Sequence, residues 1–215
     1  MKKLLLATAI AASTVGFTSA ASAGVSANAG FVSDYYYRGV NLGDAGMYGG
    51  VDYEEAGFYA GVWAIDDGTA GNDGLEYDLY AGYGLEVEGV SLSVGYTLYK
   101  YTYTSDEESE VNLGIGFGGF AFDYAMGSDD QVGGDYDYDF FSVSWSGDVF
   151  GAAVGSYDND LDEEYKYVEF SASGEVGGVD VTASIGTVFD AEASGVPATD
   201  LDGYMVLDVS KSFDL

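Results

Sequence analysis

Apolar and polar residues alternate with a period of two along most of the chain after residue 23. In residues 75–86, Leu75, Tyr77 and Leu79 begin one face, and Glu76 and Asp78 begin the other. Successive side chains of a β-strand point to opposite faces, so this alternation predicts strands with one apolar and one polar face. No segment shows a comparable helical stripe. The pattern therefore predicts an all-β protein.

Twelve segments carry the alternation, and alternatives of 10 or 14 strands stay open. They are residues 25–40, 46–54, 57–66, 75–87, 90–103, 110–118, 120–127, 136–146, 149–156, 165–173, 179–189 and 201–213. Segment 57–66 is apolar on both faces. In segment 136–146 the apolar face switches near Phe140 and Phe141, which predicts a β-bulge there.

The connections between these segments alternate between short and long. Most of the short ones contain glycine and predict tight hairpin turns. The long ones are mostly acidic, and they cover residues 41–45, 67–74, 104–109, 128–135, 157–164 and 190–200. Antiparallel strands in even number, with short turns at one rim and long polar loops at the other, are typical of a bacterial outer-membrane β-barrel. The alternative is a soluble β-sandwich. The Gly, Ser and carboxylate residues of the polar face favour a watery lumen.

The first 23 residues have the features of a secretory signal peptide. Lys2 and Lys3 precede an apolar run over residues 4–17, and Ala21-Ser22-Ala23 forms a cleavage site. A membrane anchor is the alternative, but the run is shorter than the ~20 residues that a spanning helix needs. We therefore expect a cleaved signal at 1–23, an up-and-down barrel at 24–215 and a Gram-negative outer-membrane location.

Charge and composition exclude several function classes. The chain has 37 acidic and 6 basic residues, a formal net charge of −31. Such a molecule repels nucleic acid and attracts cations. It contains no His and no Cys, which removes Ser-His-acid and Cys-His catalysis and most zinc sites. We expect a protein that is not an enzyme and has no cofactor, although a hydrolase that uses only carboxylates stays possible.

Residues 158–169 approach the pattern of a calcium-binding loop. Asp158, Asp160 and Asp162 are spaced by two, and Glu169 is the twelfth residue. The sixth residue is Glu163, whereas the sharp turn of an EF-hand requires glycine. We predict no metal site, with weak Ca²⁺ binding at the three aspartates as the remaining candidate.

Three lysines fall on the apolar face near segment ends, namely Lys100, Lys166 and Lys211. A long amine at such a position can reach the membrane interface. Lys100 and Lys166 lie at the long-loop rim. We hypothesise that these two contact lipopolysaccharide phosphates there.

Arg38 is the only arginine, and it lies in the stretch SDYYYRG. Alternation in segment 25–40 predicts that Tyr35 and Tyr37 join an outer aromatic girdle. Asp34, Tyr36 and Arg38 then face the lumen. Arg38 is either a countercharge for neighbouring carboxylates or a filter residue at a constriction. The lumen and constriction candidates are Asp34, Tyr36, Arg38, Asp52, Glu76 and Asp78.

Four motifs carry a family resemblance. Residues 33–39 read SDYYYRG, and GGVDY (49–53), GFYAGVW (57–63) and EYDLYAGY (76–83) follow in order. The sequence resembles the TorF-type porin family, also called Gcw_chp. The resemblance implies an outer-membrane barrel without a settled substrate.

We therefore predict a channel for passive diffusion of small solutes, with a cation preference from its acidic lumen and loops. The alternative is a closed structural or surface-interaction barrel. Outer-membrane lipid and lipopolysaccharide are the expected surroundings. The final strand, with Phe213 near its end, looks like the signal that the barrel-assembly machinery reads.

Overall fold

The computed structural model describes residues 24–66, 74–131, 134–192 and 203–215. The predicted signal peptide and most of the predicted loops 67–74 and 190–200 lie outside the described residues. Within the described ranges, no helix is long and apolar enough to cross a membrane.

The described residues form fourteen strands, and twelve of them close into one antiparallel barrel. In chain order the strands are β1 (Gly24–Val32), β2 (Tyr35–Tyr37), β3 (Val40–Gly43), β4 (Gly46–Glu55), β5 (Phe58–Ile65), β6 (Glu76–Val87), β7 (Val90–Tyr101), β8 (Glu107–Phe117), β9 (Phe120–Asp130), β10 (Tyr136–Ser146), β11 (Phe150–Asn159), β12 (Glu164–Val176), β13 (Val179–Glu192) and β14 (Tyr204–Asp214). Strands β2 and β3 form a separate two-stranded sheet. Barrel strands pair with their sequence neighbours, and β1 pairs with β14 to close the ring. The predicted twelve-stranded barrel is confirmed.

Four of the five short turns at one rim share a backbone conformation. The turns at residues 56–57, 88–89, 118–119 and 177–178 each have two consecutive residues with positive φ, and the second residue is always glycine. This is the mirror-image turn whose twist matches that of the flanking strands. Strand β1 begins and β14 ends at this rim.

The two faces of the wall differ as the alternation predicts. On β6, the outward Leu79 and Leu85 are exposed, whereas the inward Glu76 and Asp78 are buried. A membrane-inserted barrel requires this arrangement, with apolar residues toward lipid and polar residues toward the lumen.

Inward tyrosines lie flat over glycines of neighbouring strands. Six tyrosines have a glycine as their directly paired residue, and an added Cβ on that glycine would meet the phenol ring. The pairs are Tyr48–Gly30, Tyr59–Gly82, Tyr80–Gly61, Tyr138–Gly127, Tyr167–Gly155 and Tyr204–Gly186. The absent side chain leaves room for the ring, which explains why this chain is rich in both residue types.

Two details of the predicted strands are wrong. Segment 25–40 is not one strand, because β1 ends at Val32 and a separate hairpin follows. The predicted bulge at Phe140 is absent, since β10 pairs with β9 and β11 without a register shift. The apolar face switches there because Tyr138 and Phe140 point into a lumen that contains this hairpin.

An inward hairpin as the candidate functional site

The link between β1 and β4 folds into the barrel as a short hairpin, residues 35–43, here called the inward hairpin. Its turn is formed by Arg38 (φ 50°) and Gly39 (φ 85°), the same mirror-image geometry as the short rim turns. Positive φ is costly for arginine and free for glycine. Contacts at the tip must therefore compensate for the conformation of Arg38.

The inward hairpin crosses the lumen from one wall to the other. It starts between β1 and β4, whereas its tip contacts Glu110 on β8 and Phe140 on β10. In the closed ring, β9 and β10 lie opposite β1 and β4. At this level, the hairpin therefore divides the lumen.

A buried ion pair anchors the tip. Both terminal nitrogens of the Arg38 guanidinium donate to the two carboxylate oxygens of Glu110, with 3.0 Å between Nη2 and Oε2. The guanidinium also lies 4.0 Å from the ring centre of Phe140 and 4.6 Å from that of Tyr37. Arg38 is 5% exposed and Glu110 is 0% exposed. A bidentate pair between aromatic rings is the geometry in which arginine binds most specifically.

Both carboxylate oxygens of Glu110 accept hydrogen bonds from neighbouring side chains. The Tyr99 hydroxyl donates to Oε2 over 3.0 Å, and the Tyr138 hydroxyl donates to Oε1 over 2.8 Å. With the two bonds from Arg38, the carboxylate accepts four hydrogen bonds. This network compensates for the cost of burying both charges.

The three tyrosines of the inward hairpin contact three further strands. The Tyr35 hydroxyl donates to Glu76 over 2.9 Å, and the hydroxyls of Tyr37 and Tyr99 are 2.9 Å apart. Tyr36 stacks on Tyr204, with 4.1 Å between ring centres. Burial, with the nearby carboxylates of Glu76 and Asp78, raises the pKa of the Tyr35 phenol well above its ordinary value. Tyr35 therefore stays protonated and remains a hydrogen-bond donor.

Residues 17–213 match the sequence model of the family described as "Bacterial protein of unknown function (Gcw_chp)". The chain belongs to the Gcw_chp family. It has no significant match among curated proteins.

Several solved porins are similar to this Gcw_chp protein in fold. They are OccK1 (OpdK) of Pseudomonas aeruginosa (11% identity, TM-score 0.47), OccAB3 of Acinetobacter baumannii (11%, 0.44) and a BenF-like porin of Pseudomonas fluorescens Pf-5 (7%, 0.44). They are matched over 89%, 86% and 89% of this chain. The chain spans 66%, 60% and 64% of their lengths. Similarity at this level assigns no activity to the Gcw_chp protein.

The predicted site residues lie in different surroundings. Arg38 and Tyr36 belong to the inward hairpin, and Asp34 lies half-buried in the link before it. Glu76 and Asp78 lie on the wall beside the hairpin, whereas Asp52 accepts hydrogen bonds from Tyr80 and Asn28 elsewhere in the lumen. The prediction that Tyr35 and Tyr37 join an outer aromatic girdle is wrong, because both side chains point into the barrel.

Sequence reasoning missed most partners of Arg38. Glu110, Tyr99, Tyr138 and Phe140 all contact or support the tip. A signal was present, because Glu110 begins the predicted segment 110–118 on its polar face, and Glu108 continues that face before the predicted start. The inward hairpin also had a sequence signal, since YRGV at 37–40 resembles the turn sequence VEGV at 87–90.

The outer lysines and acidic loop residues have local partners. Lys100 pairs with Glu107, and Lys166 lies 3.0 Å from Glu164 and 2.6 Å from Asp190. Asp158, Asp160 and Asp162 are exposed. In the described part of the Gcw_chp chain, no group of three or more acidic residues could hold a metal ion.

Proposed function

We propose that this protein is an outer-membrane channel for passive diffusion of small solutes, with the inward hairpin as its constriction and a preference for cations. The outward apolar residues of β6 run from Tyr77 to Val87. Ten residue steps (87 − 77) at ~3.3 Å, tilted by ~40°, give a height of about 25 Å. Barrels of bacterial outer membranes have an apolar band of about this height.

The hairpin that crosses the lumen is the observation that carries the proposal. Eight-stranded barrels are filled by their own side chains, and sixteen-stranded porins are open. A twelve-stranded lumen has space beyond its wall residues, and the hairpin takes up part of it. The remaining gap beside the hairpin would set the size limit for solutes.

The charge of the lumen supports cation preference. Asp52, Glu76, Asp78 and Asp208 are among the inward carboxylates. Arg38 is the only inward basic residue in the described ranges, and Glu110 already neutralises it. A water-filled path along this wall would attract cations and repel anions.

A closed barrel with a structural or surface role is the second candidate. The wall-to-wall course of the inward hairpin favours it, because a fully docked hairpin blocks much of the cross-section. Conduction separates the two candidates.

The test is single-channel recording in planar bilayers under a salt gradient, with refolded residues 24–215. A matched variant replaces residues 33–45 with a short Gly-Ser linker, which the direct pairing of Val32 with Gly46 allows. We expect small cation-selective steps from the native chain and larger steps from the variant. If only the variant conducts, the hairpin is a plug and the closed barrel is supported. If neither conducts, the channel proposal is wrong.

Three finer roles belong to the same proposal. They are the TorF-type porin role that the resemblance implies, contact of Lys100 and Lys166 with lipopolysaccharide phosphates, and recognition of β14 by the barrel-assembly machinery. The outward position of both lysines near the long-loop rim supports the second role.

A further inference from the structure

Lys211 is a charged residue on the outer, apolar face of the barrel wall. On β14 it lies between Val209 and Phe213 along that face, whereas Ser210 is buried on the inward face. Its directly paired residue on β1 is Ala29. Lys211 is exposed and lies three residues (214 − 211) before the end of β14 at the short-turn rim. It is therefore one outward position inside the edge of the apolar band.

The amine of Lys211 has no carboxylate partner in the part of the chain that the structure describes. The two lysines of the long-loop rim differ, because Lys100 and Lys166 both form ion pairs. The Lys211 amine instead lies 5.7 Å from the ring centre of Phe213, which is closer to the short-turn rim. The side chain therefore extends toward the membrane interface, as lipid-facing lysines do when their amine reaches the headgroup region.

The wall beside Lys211 is built from small residues. In the row of paired residues that starts at Lys211, Ala29 is followed by Gly49 and Ala64. An added Cβ on Gly49 would meet only backbone atoms within 4 Å, so no side chain covers it. Gly49 lies six residues (55 − 49) from the short-turn end of β4, against three for Lys211 on β14. The row therefore rises from the rim toward the middle of the membrane, and it leaves a shallow trough for an acyl chain.

The rim beyond Lys211 has the opposite charge. Glu54, Glu175 and Asp214 lie within one residue of the short-turn ends of β4, β12 and β14. The wall thus presents an ammonium group just inside the rim and carboxylates at the rim. A zwitterionic phospholipid with an amine has the complementary order, because its phosphate lies next to the acyl chains and its ammonium lies further out. A headgroup with only negative charge would be repelled by the rim carboxylates.

We infer that Lys211 binds the phosphate of an amine-bearing zwitterionic phospholipid in the periplasmic leaflet. The lipid's ammonium group faces the rim carboxylates, and an acyl chain lies along Ala29 and Gly49. Short turns of bacterial barrels are periplasmic, which sets the leaflet. A lysine binds phosphate through charge-assisted hydrogen bonds. This contact goes beyond the channel proposal, because lipid binding needs no open pore.

Native mass spectrometry of refolded residues 24–215, titrated with phosphatidylethanolamine in nonionic detergent, tests this contact. Four chains are compared: native, Lys211→Gln, Lys211→Arg and the control Ser105→Glu. The control lowers the net charge as much as Lys211→Gln does, at an exposed position in a long loop. We expect Lys211→Gln to weaken the first lipid adduct about five-fold. Lys211→Arg and Ser105→Glu should retain it, and heat-modifiable migration shows that each variant is folded.

Phosphatidylglycerol, which has a phosphate but no amine, tests the headgroup. The native chain should bind it more weakly than phosphatidylethanolamine, and tighter binding would overturn the assignment to a zwitterionic lipid. Equal phosphatidylethanolamine binding by the native chain and Lys211→Gln would refute the contact. Equal losses in Lys211→Gln and Ser105→Glu would also refute it, because net charge alone would then explain the result.

Conductance of the same chains separates the lipid contact from the channel. A barrel that binds the lipid through Lys211 but never conducts refutes the channel and keeps the contact. A barrel that conducts while its lipid binding is insensitive to Lys211→Gln refutes only the contact.

Discussion

Replacing Glu110 with glutamine should loosen the inward hairpin. The substitution keeps the shape of the side chain but leaves Arg38, which is 5% exposed, without its countercharge. Removing one partner of a buried ion pair costs about 3–5 kcal/mol. Glutamine can still accept part of the hydrogen bonding, so we expect the lower end, about 3 kcal/mol. That corresponds to a roughly 100-fold shift toward the undocked hairpin.

A double substitution separates the ion pair from other effects. Arg38→Met with Glu110→Gln removes both charges, and replacement of both partners can be nearly neutral. We therefore expect the double variant to be less destabilised than Glu110→Gln alone, by about 2 kcal/mol. The difference measures the cost of an unpaired buried guanidinium.

Tryptophan fluorescence provides the assay. Trp63 points inward and lies 6.2 Å from Tyr35 between ring centres, whereas Trp145 is exposed on the outer wall. In a Trp145→Phe background, Trp63 alone reports the hairpin during urea titration in lipid vesicles. If Glu110→Gln shifts hairpin release by less than about 0.5 kcal/mol, or matches the double variant, the pair does not hold the hairpin.

Two further variants test the hairpin turn and the outer lysines. Gly39→Ala should release the hairpin, because φ is 85° and the new Cβ would lie 2.6 Å from Cβ of Tyr167. By the same fluorescence we expect a cost of about 2 kcal/mol in hairpin docking. The control Gly118→Ala has positive φ and open space in the β8–β9 turn, so it should cost about 1 kcal/mol in unfolding of the barrel and leave hairpin release unchanged. Equal effects of the two on hairpin release would refute the contact. Joint Lys100→Ala and Lys166→Ala should barely affect unfolding in phosphatidylcholine, since both ion pairs are exposed. In lipopolysaccharide the double variant should unfold more easily, and equal stability in both lipids would contradict the phosphate contacts.

The barrel was predictable because its strands obey a local rule. Alternation with period two fixes which residues of β6 face lipid, and glycine marks the short turns. Both signals depend only on sequence neighbours.

The inward hairpin was not predicted, because its position depends on distant partners. Apart from Ser33, alternation continues from Phe31 through Tyr35 and Tyr37, so a single strand was the simplest interpretation. Contacts with distant residues, such as the pairing of Arg38 with Glu110, 72 residues away, show that the chain turns inward. The guanidinium of Arg38 also explains the switch of the apolar face in β10, because the inward Phe140 covers it.

The inward hairpin also constrains the order in which the molecule can assemble. It is made early in the chain, yet Tyr36 needs Tyr204 on the last strand and Ser33 bonds to Leu207 beside it. Those partners arrive only when β14 pairs with β1. Until then the hairpin lacks these contacts. We therefore expect docking to be completed late in folding, after the final seam between β1 and β14 has closed.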